Sequence, residues 1–436
     1  MKKRLLSSLK NIDMKLYLSL IIMGLVPTVY TTLRTFFLGQ MPGDWSYSIA
    51  GQLSWVNLIY EVLDEAIILP LFFCLGSPEK DSENFSIKIK SGIILSAGIY
   101  VLLAVAIILF ARPLLIFMAA DQSILQESVS YIRIESVANV FGIVYRFLLV
   151  ALITTGKSVY VYIITALKLI ISIISDTFMI STLPFSMNLG VNGIGYSNII
   201  INIILMIIIW SLLKKSGYLN DNTKLSLRWI KTFWKTGFIS GTESFVRNLA
   251  YMMMVSRMVN MVGEQGTYWV ANNFIWGWML LPVLQLGELI KQETAKTREN
   301  VKDNTPGYFF ITLIIVLIWI ITLPLYKPFM KNILGFDDVE KLFELVMVLF
   351  IPYITYAFQN IFDATFYGCG KTNLMLFESI VTNSVFYGGL FIAYIAGVWT
   401  PTLLGIALMF GIGNIFDAFV SGGAYIYFRK HMENSK

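Results

Sequence analysis

The sequence predicts an all-α integral membrane protein, with twelve transmembrane helices in two six-helix lobes that an internal parallel repeat relates. Three observations predict this fold: long apolar runs, few charged residues, and two stretches about 214 residues apart that follow the same order. Of the 436 residues, 56% are hydrophobic and 14% are charged, whereas soluble proteins carry about 25% charged residues. Runs of 18 or more apolar residues are long enough to cross a bilayer core of about 30 Å.

The apolar runs divide into twelve spans. They cover roughly residues 16–38, 51–75, 88–111, 126–153, 158–182, 190–214, 229–262, 267–292, 307–326, 341–368, 373–397 and 401–428. We expect no cleavable signal peptide, because the first span starts late and lacks a small-residue cleavage site.

The repeat has matching marks in both halves. In the first half, Ala111-Arg112-Pro113 precedes a polar loop and a long span, which ends at Gly156-Lys157-Ser158. In the second half, Tyr326-Lys327-Pro328 precedes the same arrangement, which ends at Gly370-Lys371-Thr372. The repeat predicts an N-lobe at 1–215 and a C-lobe at 216–436. Parallel repeats are one way in which transporters are built, with the substrate site between the halves.

The segment Gly368-Cys369-Gly370-Lys371-Thr372 is similar to the end of a phosphate-binding loop. The full pattern needs a glycine five residues before Gly370, where this chain has Thr365. We therefore interpret this segment, like the turn at Gly156, as a helix end followed by a lysine. ATP as a direct energy source has no support in the sequence.

Charge placement predicts the orientation. Of the 33 lysines and arginines, 23 lie in the two tails and the even-numbered loops, and five lie on the other side. The positive-inside rule then places both termini in the cytoplasm. We expect a multi-pass protein of the plasma membrane, which is the inner membrane in cells that have two membranes. The basic residues are spread over separate loops, so we expect no nucleic-acid partner. The single histidine, His431, lies in the C-terminal tail, which argues against a histidine-based enzyme or metal site.

Ionisable residues inside the spans are the candidate functional residues. Each costs roughly 2.5–3.5 kcal/mol at a helix centre on insertion scales, so it usually faces a cavity or a partner. They are Arg34, Glu61, Asp64, Glu65, Arg133, Glu135, Arg146, Lys168, Asp176, Glu243, Arg247, Glu288, Asp363 and Asp417. Each could be a structural ion pair that locks two helices, or part of a site for Na⁺, a proton or a cationic substrate.

Spacing along the helices predicts some partners. Glu243 and Arg247 are four residues apart, so they can neutralise each other on one helix face. Glu61 and Glu65 have the same spacing, with Asp64 beside them, and three acids on one turn repel each other or need a cation.

Two further expectations concern basic residues. Arg34 is the nearest basic candidate in sequence order to the three acids, and we hypothesise that it neutralises Asp64 or Glu65. Lys168 and Arg146 lie within a few turns of span ends, from where their long side chains can reach the membrane surface.

Several stretches resemble one transporter family. They are Gly237-Phe238-Ile239-Ser240-Gly241-Thr242-Glu243-Ser244-Phe245-Val246-Arg247-Asn248, the glycine turns at Gly156 and Gly370, Leu189-Gly190-Val191-Asn192-Gly193-Ile194, and Thr32-Leu33-Arg34-Thr35-Phe36-Phe37-Leu38-Gly39. With the twelve-span layout, they resemble the multidrug and toxic compound extrusion family. That resemblance implies two six-helix lobes around a central cleft, and export of organic, often cationic, compounds in exchange for Na⁺ or H⁺.

The resemblance also implies roles for single residues. The family's acid in the seventh span matches Glu243, which implies a coupling role and a candidate Na⁺ site there. In the family's Asn-x-x-x-Asp pattern of the fifth span, Asp176 matches but Ser172 replaces the asparagine. Arg34 stands where family members commonly have an aspartate, and an arginine cannot bind a cation.

The tenth-span acid seen in some family members is displaced in this chain. Ala357 or a neighbour stands at that place, and Asp363 lies about a turn and a half closer to the cytoplasm.

We predict a cation-coupled antiporter, driven by Na⁺ or H⁺, that exports small organic or drug-like compounds by alternating access. We expect a monomer without a cofactor, apart from Na⁺ as a candidate coupling ion. The candidate substrate- and ion-binding residues are Glu243, Asp64, Glu65, Asp176, Arg34, Arg247 and Asp363. The alternative is a flippase for a lipid-linked oligosaccharide or another anionic lipid, which the arginines would favour if they line a basic cavity.

Overall fold

The computed structural model describes residues 2–41, 45–75, 82–156, 158–220, 223 and 225–434. This part of the chain consists of helices joined by short loops, and it contains no β-strand. Four lysines that contribute to the predicted orientation lie outside the described residues: Lys80, Lys157, Lys224 and Lys436.

The chain forms two compact units. The first, here called the N-terminal bundle, is Leu33–Asn248, and the second, the C-terminal bundle, is Met1–Thr32 together with Leu249–Lys436. The predicted lobe boundary at 215/216 assigns the first span to the N-lobe and the seventh to the C-lobe. The two compact units divide these spans differently. The part of the first span up to Thr32 belongs to the C-terminal bundle, and the part of the seventh span up to Asn248 belongs to the N-terminal bundle.

Seven helices build the N-terminal bundle wholly or in part. They are α2 (Met14–Gly39), α3 (Trp45–Cys74), α4 (Ser82–Phe117), α5 (Leu125–Thr154), α6 (Ser158–Met179), α7 (Val191–Lys215) and α8 (Ile230–Tyr251). Helix α5 lies in the middle and packs against α3, α4, α6 and α7. Its buried apolar side chains, among them Ile143, Phe147 and Ala151, recur at helical spacing and form the core.

The C-terminal bundle holds the N-terminal helix and the remaining helices. They are α1 (Lys2–Asn11), α9 (Arg257–Met261), α10 (Gln265–Phe274), α11 (Leu281–Lys296), α12 (Asn300–Asp303), α13 (Thr305–Asn332), α14 (Val339–Gly368), α15 (Thr372–Val381), α16 (Gly388–Ile395) and α17 (Leu403–Asn434). Helix α14 is central here and packs against α10, α11, α13, α15 and α17.

Three π-helical turns each join a pair of helices into one continuous helical segment. Met252–Ser256 joins α8 to α9, Ile275–Met279 joins α10 to α11, and Thr382–Tyr387 joins α15 to α16. The helix axis bends by 53° between Gln265–Met279 and Leu281–Lys296. Pro282, in the first turn of α11, lacks the N–H that would continue the hydrogen-bond ladder of the preceding helix.

All twelve predicted spans coincide with long helical segments. Among the described residues, nine helices are apolar and long enough to cross a membrane, or ten if the bent pair is one span. The other two segments, α3 and the continuous segment from α8 to α9, carry several of the intramembrane charges. The predicted all-α membrane fold is therefore confirmed.

The marks of the sequence repeat have the same structure in both halves. Helices α5 and α14 each have 30 residues, and each ends in a glycine turn with positive φ, +73° at Gly156 and +68° at Gly370. The Gly156 N–H donates to the Ile153 carbonyl and the Gly370 N–H to the Tyr367 carbonyl, both at 3.0 Å. This is the left-handed ending that glycine gives to helices, so these turns are helix ends, as predicted.

The prolines at the start of the repeat lie inside helices. We expected the spans to end at residues 111 and 326, but α4 continues to Phe117 and α13 to Asn332, four residues beyond Pro113 and Pro328. Membrane helices tolerate proline, because neighbouring groups satisfy the freed backbone.

The N-terminal segment, α1 and the residues after it, is attached to the rest of the C-terminal bundle by hydrogen bonds at Ser8 and Asp13. The Asp13 N–H donates to Oε1 of Glu293 at 2.8 Å, while Asn304 Nδ2 donates to its Oε2 at 2.9 Å, and the Tyr308 hydroxyl donates to Oε2 as well. Ser8 Oγ accepts from the Gly307 N–H at 2.9 Å. Glu293 is 4% exposed, so a buried carboxylate holds the N-terminal segment in place.

Candidate functional site

The first intramembrane network centres on Arg34 in α2. Its Nε donates to Asp176 Oδ2 at 2.9 Å and its Nη2 to Asp176 Oδ1 at 3.0 Å, and Nη2 also donates to Asn198 Oδ1 at 3.2 Å. We expected Arg34 to neutralise Asp64 or Glu65. The structure instead pairs it with Asp176, which lies in α6.

The same network extends to a second buried acid. Asn198 on α7 donates through Nδ2 to Glu135 Oε1 on α5 at 2.7 Å. The Asp176 side chain is fully buried and that of Arg34 is 11% exposed, while Glu135 is 4% exposed. One buried chain of polar groups therefore runs from Asp176 through Arg34 and Asn198 to Glu135, and it links four helices.

The second network joins Asp64 to Arg146. Arg146 Nη2 lies 3.0 Å from Asp64 Oδ1, and the Tyr100 hydroxyl donates to the same oxygen at 2.5 Å. We expected Arg146 to extend towards the membrane surface. Its side chain is instead held within the bundle, because Asp64 on α3 offers a carboxylate.

The third network gathers three carboxylates around Arg247 on α8. Arg247 Nη2 lies 2.7 Å from Glu65 Oε1 and 3.2 Å from Glu61 Oε1. Its Nε lies 3.6 Å from Glu243 Oε1, so the predicted pair of Glu243 and Arg247 is confirmed, at the longest of the three distances. Glu65 Oε2 is buried without a hydrogen-bond partner among the described residues.

Acids outnumber arginines in these three networks. The acids are Glu61, Asp64, Glu65, Glu135, Asp176 and Glu243, and the arginines are Arg34, Arg146 and Arg247. Two further basic residues lie elsewhere: Arg133 is exposed and donates to the Ile108 carbonyl, and the Lys168 ammonium lies 5.3 Å from the centre of the Tyr145 ring. The arginines of the networks are therefore occupied by carboxylates.

A different cluster lies in the C-terminal bundle. Gln359 Nε2 on α14 donates to Asp417 Oδ2 at 2.6 Å and to Asp363 Oδ2 at 3.2 Å. The Thr382 hydroxyl donates to Asp417 Oδ1 and the Ser421 hydroxyl to Asp363 Oδ1, both at 2.6 Å. Asp363, the predicted C-lobe residue, therefore shares its environment with a second carboxylate on α17.

Within the described residues, no group of three or more His, Cys, Asp or Glu side chains is arranged to hold a metal ion. The Na⁺ site at Glu243 stays a prediction.

The structure adds residues that the sequence analysis did not select. Asn198, Tyr100, Gln359 and Asp417 complete the networks, although Asp417 was already noted as an intramembrane acid. Gln359 and Asp363 are four residues apart on one helix, and this spacing could have indicated their contact. The contacts of Asn198 and Tyr100 join residues far apart in the chain and leave no signal in a single sequence.

Comparison with known proteins identifies the fold. The MatE family model matches residues 78–178. No curated protein matches the sequence. A multidrug-resistance MATE transporter of the MOP superfamily, in an inward-facing conformation, is similar with a TM-score of 0.78 at 18% identity, over 96% of this chain and 98% of that one.

Two further structures have the same fold. A mutant of the Vibrio cholerae MATE transporter VcmN gives a TM-score of 0.67 at 14% identity, over 98% of both chains. A MOP superfamily transporter from Pyrococcus furiosus, described as having a binding pocket of reverse polarity that suggests a different function, gives 0.63 at 17% identity, over 98% of this chain and 97% of that one. These proteins are transporters and not enzymes, in agreement with the sequence analysis.

The resemblance seen in the sequence is confirmed: residues 78–178 match the MatE family model, and over 96% of its length the chain has the multi-pass membrane fold of a MATE transporter of the MOP superfamily.

Proposed function

We propose that this chain is a cation-coupled antiporter, which exports small organic compounds by alternating access of its two lobes. It works as a monomer in the plasma membrane, with both termini in the cytoplasm. The transporter fold supports the general activity, and the ionic networks of the N-terminal bundle support cation coupling.

One observation carries the proposal: each arginine of the networks is paired with a carboxylate, and acids remain in excess. A carboxylate that lies near other acids favours a bound cation or proton, because like charges within a few ångströms raise the free energy of the ionised pair. An anionic lipid would instead need basic groups that are not already neutralised. The pairing therefore favours antiport of cations over the flippase alternative.

Glu243 is our first candidate for the coupling residue. It is 8% exposed, and its distance of 3.6 Å to Arg247 is the longest in that cluster. Arg247 also lies 2.7 Å from Glu65 and 3.2 Å from Glu61, so it has two carboxylate partners besides Glu243. Glu243 can thus accept a cation or a proton while the arginine stays paired.

The test is transport by the purified protein in proteoliposomes. A fluorescent organic cation serves as substrate, under an imposed Na⁺ gradient and, separately, a proton gradient. We expect one gradient to drive uptake in the wild type, and Glu243→Gln to reduce that uptake to the level of empty vesicles. Glu288→Gln is the matched control, because Glu288 is half-exposed and pairs with Lys291 one turn away.

Two results would overturn the proposal. Full gradient-driven transport by Glu243→Gln would remove Glu243 from coupling. The flippase alternative would gain support if neither gradient drove uptake and the protein moved a short-chain anionic lipid between leaflets.

A further inference from the structure

One end of the C-terminal bundle brings several helix ends into contact. The Thr305 hydroxyl at the start of α13 and the Tyr425 hydroxyl near the end of α17 share a hydrogen bond of 3.0 Å. Cys369, in the turn after α14, packs against the same buried apolar cluster as Tyr425. Helix α1 reaches this end as well, because Ser8 Oγ accepts from the Gly307 N–H. The helix ends next to both chain termini therefore pack together.

Basic residues from three different parts of the chain lie at this end. Arg298 and Lys371 are close enough to the Cys369 thiol to act on it electrostatically. Arg429 acts in the same way on the Tyr425 hydroxyl. Arg298 precedes α12, Lys371 precedes α15, and Arg429 belongs to α17. Positive charge therefore accumulates over the packed helix ends.

A surface cavity of about 260 Å³ lies beside the last turns of α17. Its lining among the described residues consists of Tyr425, Ile426, Arg429 and Lys430. Arg429 is half-buried and Lys430 is exposed, so two adjacent cations contribute to the wall of the cavity. We call the four cations of this end the basic corner: Arg298, Lys371, Arg429 and Lys430.

The cations of the basic corner are not neutralised by the protein. Within the part of the chain that the structure describes, none of the four has a carboxylate partner, whereas Lys291 pairs with Glu288 and Lys341 with Glu264 in the same bundle. The positive-inside rule accounts for cations at this end, but not for the lack of partners. A half-buried charge is unfavourable unless it is paired, so this arrangement favours an anion from outside the chain.

An exposed apolar stripe on α17 leads to the basic corner. Ile412, Phe419 and Ile426 are seven residues apart, which is close to two helical turns, so they lie on one face. Their side chains are 45%, 77% and 58% exposed. Arg429 and Lys430 follow Ile426 by three and four residues and therefore lie on the same face. This face is apolar along the membrane span and basic at its end.

We propose that the basic corner binds the phosphate group of an anionic phospholipid, whose acyl chains lie along the apolar stripe of α17. Arginine binds phosphate oxygens as a planar fork and lysine binds them as a point charge. Basic pockets between membrane helices on the cytoplasmic side bind such head groups, and we place both chain termini, which lie at this end, in the cytoplasm. The stripe favours a lipid over free phosphate, because inorganic phosphate has no apolar part to cover it.

The lipid proposed here is a resident ligand and not the transported compound. The basic corner lies at one end of the bundle, whereas the arginines inside the spans, Arg34, Arg146 and Arg247, are paired with carboxylates. The inference does not depend on the proposed antiport. It assigns a role to cations that the proposed antiport does not use.

Native mass spectrometry of the purified full-length protein in detergent tests the inference. Phosphatidylglycerol and phosphatidylcholine with the same acyl chains are titrated separately. We expect the wild type to bind the first phosphatidylglycerol more tightly, and Arg429→Gln with Lys430→Gln to reduce that preference by on the order of tenfold. The matched control, Arg112→Gln with Lys331→Gln, removes the same charge from exposed residues elsewhere and should keep the preference.

Hydrogen exchange in the wild type locates the lipid without any variant. We expect phosphatidylglycerol to slow exchange in residues 425–434 more than phosphatidylcholine does, because the head group covers the end of α17. Inorganic phosphate at the same concentration should leave this exchange unchanged.

Three results would overturn the inference. The first is equal affinity of the wild type for the two lipids. The second is an equal loss of preference in both double variants, which would show that net charge alone decides lipid binding. In the third, inorganic phosphate protects residues 425–434 as well as phosphatidylglycerol does, which would make the basic corner a site for free phosphate.

Discussion

Arg34 holds Asp176 through two parallel hydrogen bonds, from Nε to Oδ2 at 2.9 Å and from Nη2 to Oδ1 at 3.0 Å. The planar guanidinium group matches both oxygens of a carboxylate, and this geometry makes such pairs strong. The Asp176 side chain has no exposed surface. Arg34 on α2 is therefore the counter-ion that stabilises the buried carboxylate of Asp176 on α6.

Removal of one partner from this pair should be strongly destabilising. Arg34→Ala leaves Asp176 buried without its ion pair, and we expect a loss of about 3–5 kcal/mol, the usual cost of one unpaired buried charge. Thermal unfolding of the purified protein in detergent measures the loss.

The double variant Arg34→Met with Asp176→Leu is the informative comparison. Replacing both charges with apolar groups is often neutral for a buried pair, so this variant should unfold near the wild-type temperature. Lys291→Ala, which breaks a half-exposed pair, should cost at most about 1 kcal/mol. Equal losses for Arg34→Ala and Lys291→Ala would contradict our account of the pair.

The Tyr100 hydroxyl should contribute measurably to stability. Tyr100 is fully buried and donates to Asp64 at 2.5 Å, and hydrogen bonds to charged groups contribute about 1.5–3 kcal/mol. We expect Tyr100→Phe to lose that amount in thermal unfolding. Tyr162→Phe changes the same atom on a half-exposed side chain and should have no effect, and a Tyr100→Phe variant as stable as the wild type would refute the prediction.

Gly368 should not tolerate a side chain. A Cβ there would lie 1.9 Å from Thr294 Oγ1 and 2.6 Å from the Lys291 carbonyl oxygen, which belongs to the backbone of α11 and cannot rotate away. Overpacking of this kind costs about 1–3 kcal/mol, and sometimes more. We therefore expect Gly368→Ala to lower the unfolding temperature and the yield of folded protein.

The matched control is Gly423→Ala in α17. A Cβ at Gly423 meets no atom within 4 Å, and alanine favours a helix interior over glycine by about 1 kcal/mol. This variant should be as stable as the wild type or more stable. If Gly368→Ala and Gly423→Ala have the same unfolding temperature, close packing of α14 on α11 is not the reason for glycine at position 368.

Glu293 should control the order of the N-terminal segment. Glu293→Ala removes the acceptor of the Asp13 N–H, Asn304 and Tyr308. We expect hydrogen exchange in residues 2–13 to become faster by on the order of tenfold or more, since local opening then costs less free energy. The control is Asp303→Ala, a change at an exposed residue next to Asn304, which should leave the exchange rates unchanged. Unaltered exchange in Glu293→Ala would show that other contacts hold the N-terminal segment.

The helices could be predicted from the sequence, whereas most ion-pair partners could not. An apolar run of 20 residues is local information, and so is the four-residue spacing of Glu243 and Arg247, which correctly predicted their contact. Arg34 was expected to reach an acid that is close in the sequence. Its partner Asp176 is 142 residues away, and only the tertiary structure brings the two side chains together.

The same difference between local sequence information and tertiary contacts explains why the prediction for Arg146 was wrong. Its distance from the end of a span suggested a path to the membrane surface, but the position of Asp64 on a neighbouring helix decided its conformation. Periodicity specifies which face of a helix a charge occupies. It does not specify which helix that face meets.

The two glycine turns, with φ of +73° and +68°, have a consequence for how this protein evolves. The two halves share these glycine turns at their helix ends. One half has arginine–carboxylate pairs, whereas the other has a carboxamide between two acids. Since the turns do not involve the charged residues of these networks, the polar side chains of one half can change while the helix ends persist. An internal repeat of this kind allows two halves of one polypeptide to keep the same helix ends with different polar networks.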